Sequence, residues 1–367
     1  MVNRNDRFGP CQRRIKNVPS TKLKPIDCLY DAANSTKVPT GLPDAVKISG
    51  QAALMADAAK ASLHRTEAPG LGFVASPSVA RRIKNSAKSL LPDAVFLSLL
   101  HRKYIGRFPK LLRPTTFNEK ILQRSLRPAP RIAELTNKLA VRKYVEDKVG
   151  KHHLIPLIAA PDAFTREVFD ALPCSFVTKA NHGSSFVEVV GNKAETSFEK
   201  LQQLAQQWLS LDFHSIARER HYREIKPRIF FETLLLDQSG KIPADYKLHC
   251  FGGHPGRPII YILVISDRFG NNTHGDVYDV HWSHLDIAIG YYARSAAPAP
   301  RPVNLESILE TATVLSEDFD YVRVDLYAPD NEVYFGKLTF TPGAGVLPFE
   351  PDKVDYEWGR LLTSTPS

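Results

Sequence analysis

Two adjacent stretches near the C-terminal end alternate strictly between apolar and polar residues, which marks half-buried β-strands. Over 322–327, Val322, Val324 and Leu326 face one side and Arg323, Asp325 and Tyr327 the other. Over 334–341, Tyr334, Leu338 and Phe340 face one side and Phe335, Lys337, Thr339 and Thr341 the other. Pro329-Asp330-Asn331 between them has turn chemistry, so a hairpin is expected. With the apolar sets turned to the core, Arg323 and Asp325 share a polar face with Lys337 and Thr339. A three-residue turn centred on Asn331 sets Lys337 opposite Asp325. Charges projected from strands and followed by Pro342-Gly-Ala-Gly345 suit a phosphate-handling site. The alternative is a solvated hairpin face.

Upstream, residues 1–78 lack sustained periodicity and are dotted with Pro, Gly, Ser, Asn and basic residues, so a disordered or weakly ordered arm is expected. Residues 79–110 are basic and half apolar and read as helical, interrupted at Pro92. Such a helix lies on an anionic membrane surface or packs its apolar stripe on its own domain. Residues 114–121 read as a loop entering a helix, with Thr115 or Thr116 as cap and Glu119 in the first turn. A helix is expected over 137–149, ending at Gly150, with Lys138 and Arg142 one turn apart. Lysine at a helix start opposes the dipole, so Lys138 is either solvated or faces an anion.

The strand expected over 172–179 ends in Lys179 and leads through Ala180-Asn-His-Gly-Ser-Ser-Phe186 to a second strand, 187–190. Loop N–H groups and an ammonium can converge there on an anion, although a plain hairpin turn wants the same residues. Further on come a helix over 197–210, a strand over 229–236 with the single carboxylate Glu232, and a strand over 245–251 with Asp245 and Lys247 on one face. A strand over 259–265, a polar loop over 267–279, an Ala/Pro linker over 296–302 and a helix over 305–316 complete the pattern. The organisation read from it is an arm (1–78), a helical region (79–160), a smaller α+β lobe (161–240) and a larger one (241–367).

The chain has 367 residues, enough for two or three compact units, and ordinary apolar and charged fractions of 43% and 24%. Its net charge of +9 is uneven: residues 1–130 carry +15 against −6 over 131–367. The basic third, focused at 81–88 and 102–110, points to peripheral contact with an anionic inner membrane face, with a solubilising arm as the alternative. Cys11, Cys28, Cys174 and Cys250 are too scattered for a disulfide framework or a zinc site, and a reducing, cytoplasmic setting is expected. No run reaches membrane-span length, and the N-terminus lacks the apolar core of a signal peptide. His274, His281 and His284 have no recognisable metal-ligand spacing.

Seven pieces stand in a telling order: Pro-Thr-Thr-Phe-Asn-Glu-Lys (114–120), Asn-Lys-Leu-Ala-Val-Arg-Lys-Tyr-Val (137–145), Val-Thr-Lys-Ala-Asn-His-Gly-Ser (177–184), Ile-Phe-Phe-Glu (229–232), Asp-Tyr-Lys-Leu-His-Cys-Phe (245–251), Val-Arg-Val-Asp-Leu-Tyr (322–327) and Phe-Gly-Lys-Leu-Thr-Phe (335–340). Over residues 108–360 this series resembles the ATP-grasp superfamily, specifically its teichuronopeptide-biosynthesis (TupA-like) branch. The resemblance implies an α+β fold whose two lobes enclose a nucleotide cleft. It implies that Lys138 and Lys179 reach the phosphates of ATP under a flap of Asn181, His182, Gly183 and Ser184. Glu232 and the backbone near Leu235 would contact the adenine, and Asp245 and Lys247 the ribose or phosphates. Arg323, with Lys247, would serve the transferred phosphoryl group, and Asp325 and Thr339 would hold magnesium.

The reaction of related enzymes is activation of a carboxylate as an acyl-phosphate, followed by attack of an amine. That implies a ligase of cell-surface polysaccharide or peptide-conjugate assembly, with ATP and a carboxylate-bearing glycan or peptide as partners and no nucleic acid. The sequence departs from the family pattern at three places. Asn137 stands for an aspartate, Ser185 for a flap glycine and Lys337 for a magnesium-binding glutamate. A second reading is therefore a catalytically impaired nucleotide-binding or scaffold protein in which the Lys337 ammonium takes the place of a magnesium ion. If Lys337 instead points outward, a neighbour such as Glu332 supplies the ligand. A glycosyltransferase-associated role fits the same pathway, but the single Asp-x-Asp, Asp318-Phe-Asp320, reads as a loop before the Arg323 strand.

Overall fold

A computed structural model describes residues 91–252, 258–268 and 273–362; the expected arm and the basic stretch 81–88 lie outside the described residues. Helix α1 (Asp93–Ile105) starts directly after Pro92. Its buried positions are Asp93, Leu97 and His101, and Asp93 is paired with Arg218 at 3.2 Å and Arg220 at 3.0 Å. Helix α2 (Phe117–Leu126) carries the expected capping box, in which Thr116 and Glu119 satisfy each other's backbone N–H. Helix α3 (Arg131–Thr136) follows. The helix expected from Asn137 begins only as α4 (Val141–Val149). Asn137 Oδ1 accepts from the N–H of Leu139 and of Ala140, folding residues 137–140 into a turn and leaving Lys138 ahead of the helix.

Strand β1 (Leu157–Ala159), helix α5 (Arg166–Ala171), strands β2 (Phe176–Ala180) and β3 (Val187–Val190), helices α6 (Phe198–Ser210) and α7 (Phe213–Ala217) and strand β4 (Ile229–Glu232) build the first sheet. Its order is β1-β4-β2-β3, antiparallel throughout. Helix α6, capped by Ser197, covers one face through Leu201, Ala205 and Trp208 against Phe176 and Phe231. The strand expected over 229–236 ends at Glu232, and residues 233–236 leave the sheet.

The second sheet is built from β5 (Asp245–Phe251), β6 (Ile259–Ser266), β7 (His274–Tyr278), β8 (His284–Leu285), β10 (Tyr321–Tyr327) and β11 (Tyr334–Thr339), in the order β11-β10-β5-β6-β7-β8. Strand β9 (Ala288–Ile289) pairs with β12 (Phe349–Glu350), and helices α8 (Leu305–Ser316) and α9 (Lys353–Leu361) flank the large sheet. Strand β7 overturns the expectation of a polar loop over 267–279. Its Asp276 is buried and accepts from Ser295 Oγ at 2.7 Å, so a polar sequence forms a strand whose polarity is satisfied inside.

One face of the large sheet buries Leu248, Val322, Val324 and Leu326 under α4 and α8. The other face is aromatic at one end, where Phe251 and Tyr321 meet Phe117 of α2 and Trp358 of α9. At its other end the same face carries Asp245, Lys247, Arg323 and Asp325, by strand alternation. Asp325 pairs with Lys337 as expected, but the device differs. A bulge at Gly336 follows that pair, and Leu326 then pairs with Phe335 and Tyr327 with Tyr334. One extra residue flips the alternation, so Phe335 is buried with Leu326 and Tyr334 is not, the reverse of the expected assignment. Residues 328–333 make a longer connection than a three-residue turn.

Candidate functional site

The cleft between the two sheets changes character along its length. Its outer end is apolar, lined by Ile155, Val177, Val187, Leu235, Ile242 and Tyr327 beside Lys179. Next come Lys138, Lys179, Ser184, Ser185, Asp325 and Lys337. A further chamber is lined by Lys247, His249, Arg268, Arg323, Lys337 and Gly343. An apolar slot leading into a row of cations is suited to a flat ring attached to an anionic chain.

Each cation is held in place. Lys179, at the end of β2, donates to Glu232 at 2.6 Å, and Arg142 donates to the other oxygen of Glu232 at 3.0 Å. Glu232 therefore stands behind Lys179 as its counter-ion and does not line the apolar slot. Lys247 bonds Asp245, whose other cation is Arg268 at 2.5 Å. Arg323 donates through Nε and Nη2 to both oxygens of Asp325, at 2.7 and 2.9 Å. Lys247 and Lys337 approach the same carboxylate at 3.3 and 3.8 Å. Burial alone would raise the Asp325 carboxyl, but Arg323, Lys247 and Lys337 together hold it well below its usual range. Burial lowers the Lys337 ammonium to about 8, with Asp325 acting against that shift.

Lys138 is half-buried, and its ammonium donates to the carbonyls of Ala180 and Gly183 at 3.0 and 2.7 Å. Burial, with Lys337 and Lys179 nearby, pushes it well below an ordinary lysine. It thus pins the loop between β2 and β3. Asn181 anchors the same loop by donating to Lys226 O and accepting from Arg228 N, and His182 Nε2 contacts Trp208 O. Gly183 has φ +78°, and a Cβ there would lie 2.4 Å from the Phe213 ring. Asn181, His182 and Gly183 hold the loop from within, while Ser184 and Ser185 face the cleft. Ser185 takes φ 65°, which gives a physical reason for a glycine at that position.

A magnesium ion needs near-octahedral oxygen ligands with free lone pairs. Here Asp325 accepts from two cations and faces a third, and Thr339 Oγ1 accepts from Arg323 at 3.2 Å. Lys337 turns onto Asp325, and Glu332 is exposed on the connecting loop. The residues present do not fit a protein-held magnesium ion. Asp318 and Asp320 serve elsewhere, paired with Lys148 and Arg124. Two cleft residues are not singled out in the sequence, Arg268 and His249. Arg268 is an arginine in a polar stretch after a strand and carries no signal, whereas alternation along 245–251 already sets His249 on the face of Asp245 and Lys247.

A family model described as TupA-like ATPgrasp matches residues 119–363. Among curated proteins none matches. Similar solved structures include a D-alanine–D-alanine ligase from Helicobacter pylori, at 17% identity and TM-score 0.35 over 63% of this chain and 61% of that one. Another is a D-alanine–D-alanine ligase from Bacillus anthracis complexed with ATP, at 12% identity and TM-score 0.32 over 57% and 55%. A third is N5-carboxyaminoimidazole ribonucleotide synthetase from Thermus thermophilus, at 12% identity and TM-score 0.35 over 58% and 47%. The chain therefore spans less than two thirds of the length of each.

Proposed function

The chain belongs to the TupA-like ATP-grasp family, and from that premise we propose that it binds ATP in the cleft and is a carboxylate–amine ligase of cell-surface polysaccharide or peptide-conjugate assembly. The observation that carries this reading is the ordered lining of a single cleft, apolar at Leu235 and Tyr327, then lysine-rich, then closed by Arg323. ATP would supply the phosphoryl group that turns a carboxylate into an acyl-phosphate, which an amine then displaces. Lys179 and Lys138 neutralise phosphate charge, with Lys179 steadied by Glu232. Ser184 and Ser185 cover the phosphates, and Asp245 orients Lys247. Arg323, aimed by Asp325, and Lys247 stabilise the phosphoryl group in transfer. No protein nucleophile is needed. The acceptor is a carboxylate-bearing glycan or peptide, and the basic N-terminal third would bring the protein to the inner face of the cell membrane.

A second reading, a nucleotide-binding or scaffold protein without turnover, is favoured by Arg323, Lys247 and Lys337 around Asp325. On it, the ammonium of Lys337 stands where a metal ion would, and ATP binds with little dependence on magnesium. Magnesium titrations at fixed ATP on wild type and Lys337→Glu separate the two. Turnover of about 1 per second or more in wild type, with full magnesium dependence, is the ligase outcome. Turnover only in Lys337→Glu means the natural protein has lost the chemistry.

A further inference from the structure

One buried carboxylate ties helix α1 to the segment that walls the cleft. Asp93 accepts from Arg218 at 3.2 Å and Arg220 at 3.0 Å, lies 3.3 Å from His214 Nε2 and faces Arg223 at 3.9 Å. Arg218 also lies over the Phe96 ring of α1, at 5.1 Å. Arg218 and His214 are buried, whereas Arg220 and Arg223 are exposed. Three guanidinium groups meet one carboxylate there, so the outer side of the cluster presents positive charge.

The same segment reaches the cleft. Phe213 fills the space where a side chain at Gly183 would stand, and its ring lies 5.8 Å from that of Phe186. Trp208 stacks on Phe186, and its carbonyl is 3.1 Å from His182 Nε2. Glu219 accepts from the hydroxyl of Thr341, and both line one cavity with Lys138, Ser184 and Lys337. Residues 213–223 thus hold α1 on one side and the β2–β3 loop on the other.

The outer face of α1 is open. Val95 and Leu99, one turn apart, are 44% and 48% exposed, and Arg102 and Lys103 continue that face a turn later. An apolar row with cations beyond both its ends complements anionic headgroups over acyl chains. We propose that docking of this face on an anionic membrane raises the affinity of the cleft for nucleotide, with Asp93 and residues 213–223 as the joint between the two sites. This rests on the readings that ATP binds in the cleft and that the basic third meets the membrane. Headgroup phosphates beside Arg220 and Arg223 offset the repulsion among the three guanidinium groups, so the cluster holds α1 more firmly. A firmer segment 213–223 fixes the loop that presents Ser184 and Ser185. Part of the cost of ordering that loop is then met before nucleotide arrives. Nucleotide must in turn tighten membrane binding by the same factor.

The test titrates the full chain with ADP in a calorimeter, alone and with saturating vesicles of phosphatidylcholine with or without phosphatidylglycerol. The expected result is ADP affinity about fivefold higher on the anionic vesicles only, matched by an equal tightening of vesicle sedimentation by ADP. Asp93→Asn should bring that factor to one. Arg220→Gln with Arg223→Gln, at exposed positions, should do the same at vesicle saturation without the risk of unseating α1. Unchanged or lower ADP affinity on saturating anionic vesicles, or a factor preserved in both variants, overturns the proposal. Absence of ADP binding removes the ATP reading and absence of pelleting removes the membrane reading, and either takes this proposal with it. ADP and vesicles binding independently of each other removes only this one.

Discussion

Lys179 shows how a residue can be legible while its setting is not. Its place at the end of a strand before a small polar loop is plain in the sequence, but the Glu232 carboxylate behind it comes from a neighbouring strand. Lys179→Ala should weaken ATP binding by about 1.5–3 kcal/mol, the range for a charge-assisted contact. Unchanged affinity by calorimetry removes Lys179 from the site. Lys337 has a titration signature of its own. Below about 8 its ammonium is charged, and as pH rises through that value the charge is lost; on the proposal that ATP binds in the cleft, that charge would face the phosphates. Bound phosphate favours the charged form, so ATP affinity should fall above pH 8, by about tenfold for one charge-assisted contact. Titrations at pH 7 and 9 should show that fall in wild type and not in Lys337→Met. An equal fall in both assigns the effect to another group.

At the scale of elements, the loop between β2 and β3 is fixed by packing that sequence spacing does not reveal. Gly183 combines a left-handed backbone with a ring 2.4 Å from where a Cβ would stand. Gly183→Ala should therefore destabilise the fold by about 1–3 kcal/mol and reduce ATP affinity, because its carbonyl is also a partner of Lys138. Thermal melts and calorimetry both at wild-type values would show that the loop is not pinned there. The β10–β11 hairpin teaches the complementary lesson. Alternation in its first strand gives the facing of Arg323 and Asp325 correctly, but the bulge at Gly336 is invisible to a period-two reading. Strand β7 is missed for a related reason, since Asp276 reads as solvated and is in fact bonded inside.

At the scale of the whole molecule, the basic N-terminal third has a described edge. Phe108 and Leu112 are 61% and 95% exposed, among exposed Arg102, Lys103, Lys110 and Arg113. No helix among the described residues is long and apolar enough to cross a membrane. Sedimentation with liposomes should show binding to anionic vesicles that salt reverses, and loss of binding in a Phe108→Ser, Leu112→Ser double variant. Equal pelleting with neutral lipid, or indifference to salt, ends the idea. The sequence by itself determined the family and the α+β character, and it singled out Lys138, Lys179, Lys247, Arg323 and Lys337 of the cleft lining but not Arg268, because the former depend on local periodicity and on motif order. Residues 245–251 and 305–316 are the same elements in sequence and structure. Only the tertiary structure decided how the charges are shared. Arg142 joining Glu232, Arg268 joining Asp245, and Lys247 and Lys337 approaching Asp325 all link parts of the chain that only the fold brings together. Ion pairing depends on distance in space, and strand register and burial set that distance.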